Sequence, residues 1–404
     1  MKDIYKSSKL NHVAYDVRGP VLDRASEMER QGIEILKLNI GNPGIFGFHV
    51  PQDLLDEMAG DLSRADAYSD SKGILVAREA IAAYCAKKNI LGVKPGDVYT
   101  GNGVSELINM CMQGLLDDGD EILLPSPDYP LWTACSTLAG GRPVYYVCDE
   151  SNGWLPDVKD IESKVTPRTK AIVVINPNNP TGALYPEDLL KAIADVARRH
   201  ELVIFADEIY DRLVMDGLKH TSIASLAPDL FCVTLNGLSK SHKAAGFRVG
   251  WIAVSGNKKA ARSYIEGLNM LSSMRLCSNV PAQYIIKSAL AEEGPDPDTV
   301  PGGRYYMQRE TIMQAIDGIP GLTCVRPKAA FYCFPKLDIK KFNIRDDERF
   351  AYDLLERKHV LIVHGRGFNW PQPDHFRIVY LPNSDTLNRA MNNIKDFLDD
   401  YWQS

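Results

Sequence analysis

The sequence lacks the long hydrophobic runs that membrane proteins and secretory precursors carry. No stretch of about 18 residues is both apolar and uncharged, so a transmembrane helix is not predicted. The first residues, MKDIYKSSKLNHVAYDVRG, contain no apolar segment of the signal-peptide type. Internal repeats and low-complexity tracts are missing too, which excludes solenoids and largely disordered chains. We therefore expect a cytoplasmic protein with no membrane partner.

Paired-cysteine motifs and clusters of basic residues are also missing. The eight cysteines lie scattered among apolar residues, with no CxxC pair, which predicts reduced thiols and no bound metal and leaves a redox or metal role as the alternative. Lysine and arginine total 46 against 52 aspartate and glutamate residues, a net charge of −6, and the two signs are interspersed. Nucleic-acid-binding proteins usually concentrate positive charge on one face, so we expect no nucleic-acid partner.

What the 404 residues do contain is an alternation of short apolar runs and longer helical patterns, in a chain long enough for roughly two to four domains. The apolar runs are rich in Val and Ile and continuous rather than alternating. Such runs are typical of strands buried on both faces of a parallel sheet. The predicted strands are Glu121–Pro125, Ala171–Ile175, Leu202–Ala206, Phe231–Leu235 and Val249–Val254.

Helical patterns between these runs predict a doubly wound, mostly parallel α/β sheet. Pro186–Arg199 lies between two of these runs, while Ser105–Leu116 precedes the first of them and Pro51–Leu62 follows the N-terminal segment. The segment Glu292–Gly303 is the chain's densest run of Pro, Gly and acidic residues and predicts a linker. We expect an N-terminal arm over residues 1–45, a large domain over 46–295, and a smaller α+β domain over 296–404 to which the arm contributes.

Polar residues follow several predicted strands at the point where each strand ends. Asn176–Gly182, Asp207–Tyr210 and Asn236–Lys240 each come directly after one of the apolar runs. Ligands of doubly wound sheets bind beyond the carboxyl ends of the strands, so these turns predict a shared site. A lysine there can be desolvated and become a nucleophile, although most lysines simply lie on the surface. Asp207 has the alternative of a helix cap or a structural ion pair.

Taken in order, Asn176–Gly182, Asp207–Tyr210, Ser239–Lys240 and Arg248 resemble the pyridoxal-phosphate-dependent aminotransferases of class I/II, fold type I. The resemblance extends from the region of Gly41 to Arg377. Within that family, the stretches SKGILVAR, GNGVSELI, PDYPLWTA, DEIYD, NGLSK, AGFR and NVPAQ are most similar to bacterial glutamate–pyruvate (alanine) aminotransferases.

The resemblance implies roles for the residues that would hold pyridoxal 5′-phosphate. Lys240 would form the Schiff base with the cofactor and then act as the general base. Asp207 would bind the pyridine nitrogen, and Asn179 and Tyr210 would hydrogen-bond the phenolate oxygen. The cofactor ring would stack on Tyr129. The phosphate would contact Gly103, Val104, Ser105, Ser239 and Arg248.

One position departs from the family pattern. Many members carry Ser or Thr three residues before the lysine as a phosphate ligand, and this chain has Gly237 there. The contact that replaces this hydroxyl stays open.

The resemblance also implies the substrate side of the site and a homodimer with shared active sites. Arg377 would clamp the α-carboxylate, assisted by Gly41 and Asn179, and Tyr15 in the arm would cover the substrate side chain. Tyr68 would reach the phosphate of the neighbouring subunit. Arg18 and Arg275 are candidates for the distal carboxylate of glutamate.

The resemblance as a whole implies a ping-pong transaminase that interconverts L-alanine and 2-oxoglutarate with pyruvate and L-glutamate. The alternatives within the fold are an aspartate or aromatic aminotransferase and a carbon–sulfur β-lyase. A ligand-sensing regulator would need an added DNA-binding segment, for which the chain shows no basic helix.

Overall fold

The computed structural model of the chain describes residues 3–13 and 19–404. Its α-helices are α1 Pro20–Arg30, α2 Gln52–Asp61, α3 Leu75–Lys87, α4 Val104–Leu115, α5 Leu131–Leu138, α6 Val158–Lys164, α7 Glu187–Arg199, α8 Ile223–Leu226, α9 Arg262–Met274, α10 Ile286–Ala291, α11 Arg304–Asp317, α12 Asp347–Lys358 and α13 Ser384–Leu398. No helix within these residues has both the length and the apolar character needed to cross a membrane.

The strands fall into one large sheet and several small ones. They are β1 Leu36–Lys37, β2 Val98–Asn102, β3 Glu121–Ser126, β4 Arg142–Asp149, β5 Leu155–Pro156, β6 Thr169–Ile175, β7 Val203–Asp207, β8 Cys232–Gly237, β9 Val249–Ser255, β10 Leu322–Thr323, β11 Tyr332–Cys333, β12 Lys336–Leu337, β13 Val360–Leu361, β14 Val363–His364 and β15 Phe376–Val379.

The large sheet has the strand order β2-β9-β8-β7-β6-β3-β4-β5, and strands β4, β3, β6, β7 and β8 run parallel. Helices α4, α5 and α9 cover one face, while α3, α7 and α10 cover the other. Strands β6, β7 and β8 are buried along nearly their whole length. The expected doubly wound α/β sheet and its predicted strands are therefore confirmed.

One strand direction was wrong. Val249–Val254 was expected among parallel strands, but β9 runs antiparallel to both β8 and β2. A parallel neighbour would need a long crossover, usually a helix, and the link from β8 to β9 contains only a 3-10 turn, Ala245–Phe247. Strand β2, antiparallel to β9, thus ends at the same sheet edge as β8.

A second core forms beside the large sheet from both ends of the described chain. Strand β1 pairs in parallel with β13, and β15 lies between β11 and β14. Residues of α1, α11, α12 and α13 pack around these strands. The segment Glu292–Gly303 joins α10 to α11 without a strand or α-helix of its own. The exact division at residues 45 and 295 stays a prediction.

Candidate active site

A cavity of about 460 Å³ lies at the carboxyl edge of the large sheet, where the small sheets meet it. The wall combines residues that follow β2, β3, β6, β7 and β8 with residues from the 39–42 segment, β11 and β15. The lining residues are Asn39, Ile40, Gly41, Asn42, Val104, Ser105, Ile108, Tyr129, Ile175, Asn179, Asp207, Ile209, Tyr210, Ser239, Lys240, Ala245, Arg248, Tyr332 and Arg377. Most predicted site residues therefore come together in one cavity.

Asp207 ends β7 and is buried, with 3% of its surface exposed. Its carboxylate accepts hydrogen bonds from the Trp132 indole N–H at 3.0 Å and the Ile209 amide at 3.4 Å. Burial raises the pKa of Asp207 to about 6, even though both hydrogen bonds lower it. A cationic ligand group in the cavity would stabilise a buried carboxylate in this environment.

Lys240 follows β8 and is partly buried in the cavity wall. Its Nζ donates a hydrogen bond to the carbonyl oxygen of Gly41 at 2.7 Å and lies 5.8 Å from the centre of the Phe331 ring. Gly41 belongs to the segment between β1 and α2, so this contact joins the large sheet to the second core. Lys240 is thus positioned within the same cavity as Asp207.

The N-terminus of α4 faces the cavity. The backbone amides of its first turn and the positive end of the helix dipole make this a favourable place for an anion. Gly103 caps the helix with φ = +81°, a conformation that favours glycine. A Cβ on Gly103 would overlap the guanidinium group of Arg248. Arg248 donates to the carbonyl oxygens of Ala245 at 2.9 Å and Asn102 at 3.2 Å.

The structure explains why position 237 is glycine. Gly237 pairs with Gly250 across β8 and β9, and a Cβ on Gly237 would lie 2.6 Å from the Val249 carbonyl oxygen. A Cβ on Gly250 would in turn lie 2.6 Å from the Val104 amide nitrogen. The two glycines let the strands and the α4 N-terminus pack closely, and this packing leaves no room for a hydroxyl side chain at 237.

Arg377 lies in β15, and its guanidinium group reaches across to the large sheet. It donates to Asn179 Oδ1 at 3.0 Å and to the Asn39 carbonyl oxygen at 2.5 Å. The rings of Tyr332 and Phe368 lie 4.5 and 4.6 Å from its Cζ atom. These contacts hold an arginine fork in the cavity, which is the geometry that recognises a carboxylate.

Tyr129 and Tyr210 contribute two phenol rings to the cavity wall. The loop of Tyr129 is held by its neighbour Asp128, whose side chain accepts a 2.6 Å hydrogen bond from Asn369. Tyr210 is buried, and its hydroxyl lies 2.9 Å from that of Tyr332. Burial, together with Tyr332, raises the pKa of Tyr210 well above its usual value, so this phenol is protonated at neutral pH.

Of the predicted site residues that the structure describes, Gly103, Tyr68 and Arg275 are not among those that line the cavity. Tyr68 is 79% exposed and borders a separate surface hollow formed with residues 277–281. Arg275 forms an ion pair with Glu106 at 2.6 Å and donates to two backbone carbonyls, so it serves the packing around α4 rather than a ligand in this cavity. Tyr15, like Arg18, lies outside the described residues.

The fold also brings to the site residues that were not predicted from the sequence. Tyr332 and Asn39 contact Tyr210 or Arg377 directly, and Trp132 binds Asp207. Tyr332 stands in the apolar run Phe331–Phe334, which by itself indicates only core packing. No described group of three or more His, Cys, Asp or Glu side chains is arranged to hold a metal ion.

Comparison of the sequence with known protein families identifies the class of this protein. The family model for aminotransferases of class I and II matches residues 33–394. The chain is a class I and II aminotransferase. It is 55% identical over 399 residues to the glutamate-pyruvate aminotransferase of Haemophilus influenzae, covering 98% of this chain and 99% of that protein. It is 51% identical to the alanine aminotransferase of Mycobacterium bovis, covering 98% and 93%.

A solved structure of an aminotransferase from Escherichia coli matches this aminotransferase over its full length. The TM-score is 0.98 and the identity 52%, with 100% of both chains covered. The fold type I architecture expected from the sequence is thus confirmed.

Proposed function

We propose that this aminotransferase uses pyridoxal 5′-phosphate to interconvert L-alanine and 2-oxoglutarate with pyruvate and L-glutamate in a ping-pong reaction. The observation that carries the proposal is Asp207, a buried carboxylate that shares one cavity with Lys240 and has N–H groups as its hydrogen-bond partners. The choice of substrates is supported by the names of the relatives that are more than half identical to this chain.

The donor set of the cavity fits pyridoxal phosphate. The amides of Val104 and Ser105 at the α4 N-terminus, the Ser239 hydroxyl and the Arg248 guanidinium suit a phosphate dianion. Gly103 leaves the space above the turn to Arg248, since any side chain there would collide with it. At the other end, Asp207 suits a protonated pyridine nitrogen, and the protonated phenol of Tyr210 suits a phenolate oxygen.

The bound cofactor supplies a carbonyl carbon that exchanges amines and a ring that spreads the charge developing at the substrate Cα. Asp207 keeps that ring cationic, because an ion pair in a buried site favours both charged partners. Lys240 holds the cofactor and then carries a proton to and from the substrate Cα. The Lys240 amine can carry this proton once it has broken its hydrogen bond with the Gly41 carbonyl oxygen.

The substrate carboxylate binds the Arg377 fork, with Asn179 and the Gly41 region beside it. This clamp orients the Cα–H bond toward Lys240 and selects α-amino and 2-oxo acids over other amines. Tyr129, in the cavity wall, would pack against the cofactor ring. The family resemblance supports Tyr15, which lies outside the described residues, as the residue that would cover the substrate side chain.

We further propose a homodimer in which Tyr68 contacts the phosphate bound by the partner. Apolar side chains exposed on this chain include Tyr68, Met270, Met274 and Leu276, a group that a subunit interface would cover. The arm over residues 1–45 and the domain over 296–404 would form one body that closes on the domain over 46–295. Arg377 and Lys240 lie on opposite sides of that boundary, so ligand binding favours closure.

The experiment that tests this function is a half-reaction panel. Purified protein is loaded with pyridoxal phosphate, and its visible absorbance is followed as alanine, glutamate, aspartate, tyrosine or cysteine is added singly. We expect alanine and glutamate to change the spectrum fastest and to yield pyruvate and 2-oxoglutarate. Release of ammonia in place of amino transfer, or a faster reaction with aspartate or tyrosine, would contradict the proposal.

A lysine pair provides the matched control for the chemistry. Lys240→Ala should abolish transamination, a loss above about 10⁴-fold, because general acid–base and covalent roles are lost together. Lys219→Ala removes an exposed lysine and should leave turnover unchanged. Full turnover in Lys240→Ala would refute the assignment of the site.

A further inference from the structure

Tyr332 lies between the two ends of the cavity and contacts both. Its hydroxyl is 2.9 Å from the Tyr210 hydroxyl, and its ring centre is 4.5 Å from Cζ of Arg377. Its side chain is 2% exposed, and a Cβ on Gly41 would overlap its hydroxyl. The phenol is therefore held by Gly41, Tyr210 and Arg377 in one orientation.

The register of the small sheet explains the contact with Arg377. Tyr332 in β11 is opposite Val379 in β15, and Arg377 is two residues from Val379 on the same face of that strand. Diagonal neighbours of this kind in an antiparallel pair are within reach of aromatic and long side chains. The contact thus follows from the strand pairing and does not depend on a flexible loop.

The contact with Tyr210 has a direction once the cofactor is bound. A phenol has one hydrogen to donate. If Tyr210 donates to the phenolate oxygen of the cofactor, as the proposed function requires, only Tyr332 has a hydrogen for the bond between the two phenols. A hydrogen bond received on the oxygen of Tyr210 polarises its O–H group and strengthens the bond that Tyr210 donates.

We propose that Tyr332 is a positioning residue that strengthens Tyr210 as a hydrogen-bond donor to pyridoxal phosphate and supports the guanidinium group of Arg377 with its ring. One side chain of the second core thereby sets both the electronic state of the cofactor and the geometry of the carboxylate clamp. This inference rests on the proposed function.

The first test titrates the visible absorbance of bound pyridoxal phosphate with pH in Tyr332→Phe, which keeps the ring and removes the hydroxyl. Weaker donation by Tyr210 leaves the phenolate more basic, so the midpoint should rise by about 0.1 to 0.7 pH unit. Tyr380→Phe is the control, because it also removes a buried hydroxyl of the second core, one that donates to Ala330 at 3.2 Å. It should not move the midpoint.

The second test asks whether Tyr332 acts through Tyr210. Tyr210→Phe should raise the midpoint further than Tyr332→Phe, and adding Tyr332→Phe to it should have no additional effect. An unshifted midpoint in Tyr332→Phe, an equal shift in Tyr380→Phe, or an undiminished shift in the Tyr210→Phe background would each overturn the inference. A wild-type protein that does not take up pyridoxal phosphate would instead overturn the proposed function.

The third test separates the ring from the hydroxyl at the Arg377 end. The probe is 2-aminoisobutyrate, an amino acid without an α-hydrogen, and its dissociation constant is read from the cofactor absorbance. Tyr332→Phe should change this constant less than 2-fold, while Tyr332→Leu should raise it by about 2- to 30-fold through loss of the cation–π contact. Equal constants for the Phe and Leu variants would show that the ring does not support Arg377.

Discussion

Asp207, the last residue of β7, and Asp211, four residues further on, are two buried carboxylates with opposite surroundings. Asp211 accepts from Lys88 Nζ at 2.8 Å and from the Tyr84 hydroxyl at 2.5 Å. Burial alone would raise the pKa of Asp211, but Lys88, His220 and Tyr84 together outweigh burial and hold that pKa below its usual value. Asp207 binds the N–H groups of Trp132 and Ile209, and burial raises its pKa to about 6.

The two aspartates show that a buried carboxylate either pairs with a cation of the protein or faces a cavity. Lys88 also binds Glu208 at 2.6 Å, so one ammonium group joins two carboxylates beneath the loop of Tyr210. Both carboxylates thus have a cationic partner inside the protein, and the role of the cluster is to hold the loop. Asp207 faces the cavity instead, where the cationic ring of the proposed cofactor would match its charge.

The largest expected effect separates the two aspartates by activity. Asp207→Ala should lower kcat/KM for alanine by about 100- to 1000-fold, because a charge that stabilises the transition state is lost. Asp211→Ala should lower it less than about 10-fold while reducing stability, since Glu208 still binds Lys88. Steady-state kinetics with urea unfolding measures both. Similar losses of activity in the two variants would remove the distinction.

The next effect tests whether the Lys88 cluster is structural. Lys88→Met leaves Glu208 and Asp211 buried without their ammonium partner and should lower the free energy of unfolding by about 3 to 5 kcal/mol. Lys87→Met is a matched control from the adjacent residue, whose 3.5 Å pair with Glu293 is exposed and should contribute less than about 1 kcal/mol. Equal changes in urea unfolding would contradict a structural role for Lys88.

A third prediction concerns the pH dependence of the cofactor-free protein. Asp207 has a pKa of about 6 when folded and an ordinary value of 3.8, so the folded state binds the extra proton between these values. Stability should therefore fall as pH rises from 4 to 6, by at most about 3 kcal/mol from this group. Asp207→Asn should abolish that part of the slope, whereas the exposed Asp188→Asn should not. A wild-type slope retained in Asp207→Asn would refute the assigned environment.

The smallest expected effect on activity concerns Arg377, the cation at the substrate end of the cavity. Arg377→Lys should lower kcat/KM for alanine by about 10- to 100-fold, because an ammonium cannot make the forked contact with a carboxylate. Binding of pyridoxal phosphate should change less than about 3-fold, since Arg377 lies at the substrate end. Arg389→Lys, in an exposed pair with Glu34, serves as control. Equal losses of cofactor and amino-acid binding would exclude the clamp.

Residues that directly follow predicted strands were the easiest to place from sequence. Asp207 comes immediately after one apolar run and Lys240 lies in the turn after another, and parallel strands end at one edge, so their meeting follows from the pattern. The direction of β9 was wrong because continuous apolar runs look alike in buried strands of either direction. Tyr332 was missed because its contacts with Tyr210 and Arg377 are made across the fold, between residues 122 and 45 positions apart in the chain.

The sequence by itself determined the strand and helix pattern, the sheet edge where the ligand residues collect, and the aminotransferase family. These depend on local periodicity and on the order of short motifs, which the chain carries directly. Only the tertiary structure decided that Lys88 pairs with Asp211 rather than with Asp207, that glycine is required at position 237, and that Tyr332 joins the two ends of the cavity. Each of these depends on what packs against a residue from a distant part of the chain, and burial sets the energy of a charge or a hydroxyl only once that neighbour is in place.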